Sequence, residues 1–190
     1  MQDLRGGLLV RYREPHRRYH DLRHLHEVLD AVELLQAEAD DIDAVRWAAW
    51  FHDAVYDVRR TDNEERSAEL AHRELAAYGT ESATVREVAR LVRLTATHDP
   101  ASGDRNGSVL SDADLAILAA PTQRYAEYAR DVRAEYAHLD DTAFATGRAQ
   151  LLTALLQRVP LYRTERGRAR WERRARANLN AELDRLHCMP

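Results

Sequence analysis

Nine histidines and several aspartates interrupt otherwise apolar stretches of this 190-residue chain. In AAWFHDAVYD, residues 48–57, an apolar run stops at the adjacent pair His52–Asp53 and resumes at once. A carboxylate in the wall of a core is costly unless it is paired, hydrogen-bonded or bound to a metal. Upstream, His16, His20 and His24 recur at i, i+4, i+8 and would share one face of a helix that reached back that far, with His26 off that face. Downstream, His98 closes a periodic segment, and Ser111-Asp112-Ala113-Asp114 breaks another just before AILAA. A histidine of the first long helix, the His52–Asp53 pair and an aspartate about sixty residues later would offer two nitrogens and two carboxylate oxygens to one ion. Neighbours on a helix diverge by about 100°. His52 and Asp53 can therefore converge only if one lies at the helix end or bends in from its flank.

The elements that must position these groups read as helix almost throughout. Seven glycines and five prolines fall mostly between periodic segments, and strand-like alternation is absent. The pattern predicts helices at about 19–38, 42–54, 62–78, 81–97, 111–119, 121–137, 141–158 and 168–186, with a weaker helical segment before Pro15. Asp62 or Thr61 can cap the helix opening NEERSAELA, with Glu64 and Glu65 at its positive end. Gly79 suits a helix stop, and Pro121 suits a first helical position. HDPASGDRNGS, residues 98–108, reads as the one long loop. No repeat or dividing linker is visible, so one all-α domain over 1–190 is expected, with a core at about 19–120 and C-terminal helices 121–186 packed on it.

Composition narrows the class. At 45% apolar and 32% charged residues the chain is that of an ordinary globular protein, and no apolar run approaches the length of a membrane span. The N-terminal stretch lacks the features of a secretory signal, and the single cysteine, Cys188, has no partner for an internal disulfide, so a cytoplasmic protein is expected. All 28 basic residues are arginine, the net charge is −4, and neither a basic stripe nor base-stacking platforms stand out, which argues against a nucleic-acid polymer as ligand. Oligomeric state is not fixed by the sequence, and a homo-oligomer stays open.

In order along the chain, YHDLRHL, WFHDAVYD, TDNEERSAELA, LTATH and LSDADLAIL, followed by YAEYARDVRAEY, GRAQLLTALLQRVPLYRT and ERRARANLNAEL, resemble a bacterial subfamily of the HD-domain superfamily, whose members are usually labelled predicted metal-dependent HD phosphohydrolases. The likeness runs from about Tyr19 to Leu183. It implies a bundle of about seven to nine helices and places His24, His52 and Asp53 on metal positions, with Asp112 or Asp114 as the last ligand. The family's usual alanine–aspartate pair before an apolar helix favours Asp114 and leaves Asp112 as a cap or supporting acceptor. The implied cofactor is a divalent ion, Mn²⁺, Fe²⁺, Co²⁺, Ni²⁺ or Zn²⁺ ahead of Mg²⁺, since imidazole ligands disfavour the last.

The resemblance further implies hydrolysis of a small phosphorylated substrate, a nucleotide among the candidates, by metal-activated water. Asp53, Asp57 and Glu64 are the candidates for acid–base work, Asp57 because it would lie one turn beyond Asp53 on a continuing helix. His20 would support the site. His98 would act as a ligand or phosphate-facing donor, whereas His72, beside Arg73 and Glu74, reads as a solvated position. Arg148, Arg158, Arg176 and Asn178 match polar positions of the C-terminal motifs and are candidates for substrate contact. Tyr125, Tyr128 and Tyr136 read as packing residues with surface hydroxyls. Two other classes fit the same residues: a metal-holding protein without catalysis, and a di-iron oxygenase using His98 and another histidine.

Overall fold

The computed structural model describes residues 4–187, and Cys188 lies outside them. The described residues form α1 (Leu4–Arg11), α2 (Leu22–Leu35), α3 (Ile42–Phe51), α4 (Asn63–Tyr78), α5 (Ser82–Leu94), α6 (Arg105–Asp114), α7 (Thr122–Glu135), α8 (Asp141–Gln157) and α9 (Glu165–His187). Tighter 3-10 turns follow α2 at Gln36–Glu38 and α6 at Leu115–Ala119. The protein is all-α, and among the described residues no helix is long and apolar enough to cross a membrane.

α3 is the hub. Ala44, Val45, Ala48, Ala49 and Phe51 are all fully buried, and the small alanines let α2, α5 and α6 approach its backbone from different sides. One continuous apolar cluster runs from Leu8 to Leu179. α9 lies over the 3-10 turn after α6 and against α8, so the C-terminal helix closes the bundle over the end of α6.

Several boundaries differ from the expected ones, each for a local reason. α2 starts at Leu22, not near residue 19, because Asp21 is its N-cap and its carboxylate accepts from the backbone N–H of Arg23 at 2.8 Å and of His24 at 3.3 Å. The shared helical face expected for His16, His20 and His24 therefore does not form. His16 is exposed and lies 2.8 Å from the Tyr56 carbonyl, while His20 stands in the turn before the cap. α6 begins inside the expected loop, since Asp104 accepts from Gly107 N–H at 2.9 Å and caps it. Asp62 stands at the N-cap position of α4, but its carboxylate pairs with Arg60 instead of the helix. Pro121 occupies the N-cap of α7, one residue before its first turn. Gly79 ends α4 as expected, in the left-handed conformation at φ 88°.

The hydroxyls expected at the surface of α7 turn inward. Tyr125 is buried and donates to Glu182 at 2.5 Å, and Tyr128 packs under the guanidinium of Arg148. Arg148 in turn donates to both oxygens of Glu182, at 2.8 Å and 3.2 Å, tying α8 to α9. Arg176 donates to Glu172 and to the carbonyls of Leu156 and Arg158, and Asn178 donates to the carbonyls of Leu118 and Ala120. The donors of Arg176 and Asn178, expected on substrate, thus hold otherwise orphaned carbonyls at element ends.

Asp112 performs a similar task from α6. Its Oδ1 accepts from Arg163 N–H at 2.8 Å, and its Oδ2 accepts from the N–H and hydroxyl of Thr164 at 2.7 Å and 2.6 Å. A Cβ on Gly167 would lie 2.5 Å from that pinned Oδ2, whereas a Cβ on Gly147, within α8, would meet nothing within 4 Å. We expect Gly167→Ala to lower stability by about 1–3 kcal/mol through overpacking. Gly147→Ala should raise it by about 0.5–1 kcal/mol through helix propensity. Urea unfolding midpoints at constant slope test both, and equal midpoints would contradict the close approach of α9 to Asp112.

Candidate metal centre

Four side chains meet where three helices end. His24 sits in the first turn of α2, just inside the Asp21 cap, and is buried. His52 is the C-cap of α3, and Asp53 lies one residue beyond, where the chain has left the helix. Asp114 is the last residue of α6. The 100° divergence of helix neighbours is thereby avoided, because the His52–Asp53 pair straddles a helix end.

The Nε2 atoms of His24 and His52 face each other at 3.0 Å. Asp53 Oδ2 lies 3.2 Å from the His52 nitrogen and 3.4 Å from that of His24. Asp114 Oδ1 lies 3.2 Å from His24 and 3.6 Å from His52. Donors held about 2.1 Å from one ion stand about 3.0 Å apart in octahedral and about 3.4 Å apart in tetrahedral coordination. The observed separations lie close to that range. His24, His52 and Asp114 form the group whose donor atoms all fall within 4.8 Å of one another, with Asp53 against its two nitrogens. His52 Nδ1 lies 2.8 Å from the Ala49 carbonyl and donates to it, which leaves the His52 Nε2 lone pair free for a cation.

Electrostatics point the same way. Burial opposes charge on His24, but hydrogen bonds and charge from Asp114 and Asp53 outweigh it and raise its pKa to about 10. Burial likewise opposes ionisation of Asp53 and Asp114, yet the neighbouring histidines hold both carboxyls well below the ordinary range. At 3.0 Å the two facing nitrogens cannot both carry a proton, and since Asp53 and Asp114 raise the pKa of His52 as well as that of His24 against burial, one proton serves the pair. Without a metal, that proton is the cation of the site. A divalent ion is the better match to two carboxylates and two imidazoles.

A second ring of residues borders the cluster. His98 follows α5 in the left-handed region at φ 48°, a conformation that costs a non-glycine residue about 1 kcal/mol. Its Nε2 lies 2.7 Å from Asp114 Oδ2, so Asp114 faces the histidine pair with one oxygen and His98 with the other. His20 stacks on Tyr56, and its Nδ1 lies 2.7 Å from Glu135 Oε2, which also accepts from the Tyr56 hydroxyl at 2.8 Å. Glu135 Oε1 accepts from the backbone N–H groups of Arg18, Tyr19 and His20 at 2.8–3.0 Å. Arg17, also buried, donates to the carbonyls of His20 and Asp53 and so fixes both turns that border the cluster.

Neither Glu135 nor Arg17 was singled out in the sequence. Glu135 nonetheless carries a signal there: Tyr125, Tyr128, Val132 and Glu135 follow the spacing of one buried helical stripe, and a carboxylate on such a stripe requires buried donors.

Other expected site residues lie elsewhere. α3 ends before Asp53, so Asp57 is not one turn beyond it; it is exposed in the following loop and accepts from Arg59 N–H. Glu64 is half-buried in the first turn of α4, close enough to Tyr136 for its charge to help hold that phenol protonated. His72 is exposed on α4. Arg158 donates to the carbonyls of Thr97 and His98 and so braces the strained His98 turn.

Beside the cluster opens a cleft of about 730 Å³, bordered at one end by His20, His98 and Asp114 and elsewhere by side chains of α7, α8 and the 3-10 turn after α6. Gly147 lies on its α8 wall at a cost to that helix of about 1 kcal/mol relative to alanine.

No family model, no curated protein and no solved structure matches the chain.

Two outcomes follow from the charge arrangement. A divalent ion held by these groups would have to displace the proton of the histidine pair, so apparent Mn²⁺ affinity should rise about tenfold per pH unit from pH 6 to 8, with about one proton released per ion. Calorimetry in buffers of different ionisation enthalpy counts that proton, and a pH-independent affinity would contradict the assignment. The Glu135 pKa is lowered to about 2, against burial, chiefly by the hydrogen bond and charge of His20 with help from backbone N–H groups. Its contribution, about 3 kcal/mol, should be complete above the ordinary glutamate pKa and lost as pH falls from about 4.5 through 2. The stability gap between the metal-free parent and Glu135→Gln, measured by urea unfolding, should narrow over that window.

Proposed function

We propose that the protein is a metal-dependent phosphohydrolase of the HD type that acts on a small phosphorylated substrate. The observation that carries the reading is the meeting of two imidazole nitrogens at 3.0 Å with two carboxylates around them, beside a cleft large enough for a small molecule. His24, His52, Asp53 and Asp114 would hold the ion, and their nitrogen-rich set favours Mn²⁺, Fe²⁺, Co²⁺, Ni²⁺ or Zn²⁺ over Mg²⁺. When bound, such an ion supplies Lewis acidity that polarises a phosphoryl oxygen and lowers the pKa of water.

The chain's own groups do the rest. Asp53 turns Oδ2 to the histidine nitrogens, and its Oδ1, with no hydrogen-bond partner among the described residues, is the oxygen placed to take the proton of an attacking water. His98 borders the cleft and orients Asp114 through Nε2. His20, with Nδ1 engaged by Glu135, keeps Nε2 as its free ring nitrogen at the polar end of the cleft, where it can contact a phosphoryl oxygen. Glu64 remains a candidate for proton transfer, whereas the end of α3 before Asp53 removes the reason for choosing Asp57.

A second reading has one observation in its favour. Asp114 faces the histidine pair with Oδ1 and His98 with Oδ2, so His98 stands where it could join the residues that would hold a second iron in a di-iron oxygenase.

Metal content and phosphate release decide between the readings. Protein purified without chelator should carry one metal per chain and release phosphate from members of a phosphoester and nucleotide panel with Mn²⁺, Co²⁺ or Ni²⁺. His52→Ala and Asp53→Ala should each reduce that release by about 100-fold or more. Two irons per chain with no phosphate release would replace the proposal by the oxygenase. Bound metal with no turnover of any kind would leave a metal-holding protein without catalysis.

A further inference from the structure

We infer that the cleft beside the metal cluster receives the alcohol part of the substrate, and that the substrate is a phosphomonoester whose alcohol carries a flat, apolar ring. The inference rests on the phosphohydrolase reading and adds a substrate class to it. In the corresponding reaction, water oxygen bonds to phosphorus as the ester P–O bond breaks, one water proton passes to Asp53 Oδ1, the leaving oxygen takes up a proton in its place, and orthophosphate and the free ring-bearing alcohol leave.

Three observations converge. The first is the division of the cleft. His20, His98 and Asp114 form its polar end, while Tyr128, Val132, Tyr136, Phe144, Leu151 and Leu155 form apolar walls. The rings of Tyr136 and Phe144 meet at 49° with centroids 6.0 Å apart, making an aromatic corner, and Leu151 is left half exposed at the mouth. A volume of about 730 Å³ lies within the usual range for small-molecule pockets and exceeds the needs of a lone phosphate.

The second observation is charge. Two arginines border the cleft, and Arg148 is neutralised by Glu182. Arg158 has no carboxylate within ion-pair distance among the described residues, and its donors place it beside His98. One uncompensated cation next to the metal donors suits a single phosphoryl group and not a chain of two or three.

The third is Gly147. It stands in the middle of α8, where glycine weakens a helix, yet no neighbour lies within 4 Å of where its Cβ would be. Packing does not require the missing side chain, and its effect on the structure is to keep the cleft open.

Calorimetry on Mn²⁺-loaded protein with two non-hydrolysable probes, methylphosphonate and phenylphosphonate, tests the inference. Phenylphosphonate should bind at least about tenfold tighter, equivalent to about 1.4 kcal/mol. Gly147→Leu, which fills the cleft, and Leu151→Glu, which charges its exposed mouth, should each abolish that preference while leaving methylphosphonate affinity and Mn²⁺ stoichiometry unchanged. Equal affinities in the parent, or a preference that survives both substitutions, would overturn the pocket. A phenyl preference without metal-dependent phosphate release from phenyl phosphate would instead overturn the phosphohydrolase reading. Phosphate release without the preference would overturn the substrate class alone.

Discussion

Two carboxylates, Asp53 and Asp114, point at two imidazole nitrogens in the interior, with side-chain exposures of 16% and 14%. Charges so far from water must be compensated where they stand. The rest of the bundle is built around that requirement. Because neighbouring residues diverge along a helix, His52 and Asp53 converge by straddling the end of α3, and the other two groups also come from helix ends, His24 from the start of α2 and Asp114 from the end of α6. The alanine-rich surface of α3 brings those ends within a few ångströms of one another. An engineered side chain of leucine size at Ala48 or Ala49 would push apart the frame that the donors share.

Around the donors lies a layer of buried polar groups that bind backbone instead of ligand. Glu135 gathers three N–H groups of the turn before α2 together with His20 and Tyr56. Arg17 takes carbonyls from the two turns on either side of the cluster. Such groups fix the direction of irregular chain, which no helical ladder would otherwise hold. The orientation of His20 and Asp53 is thus set by residues that need never touch a substrate.

The parts of this arrangement that were legible in the sequence are those governed by near neighbours. The all-α class followed from periodicity, and the break of an apolar run at His52–Asp53 marked a helix end with a carboxylate in need of a partner. The order of motifs favoured Asp114 over Asp112, and the hydrogen bonds give a reason: Asp112 is fully engaged by Arg163 and Thr164. The parts that were not legible depend on distance. Glu135 meets His20 across 115 positions, which no spacing rule can anticipate. Local chemistry also misled where two partners competed, as at Asp21, whose cap ended the helix that would have aligned His16, His20 and His24. Arg148 and Asn178 looked available for substrate because Glu182 and the carbonyls that engage them lie far away in the chain, whereas Arg176 also has a near partner in Glu172, four residues before it.

The last turn of α6 presents Asp112 to one side and Asp114 to the other. One aspartate holds the chain entering α9, and the other belongs to the His24–His52 cluster, so a single residue, Ala113, separates the anchor of the C-terminal helix from the buried cluster. A chain ending before Arg163 would leave the Asp112 carboxylate buried without its three donors, and α6 would have to turn or fray to bring it to water. Asp114 would move with it. The C-terminal helix supplies no residue to the cluster, yet the chain cannot be shortened to the helices that carry it without taking the cluster apart.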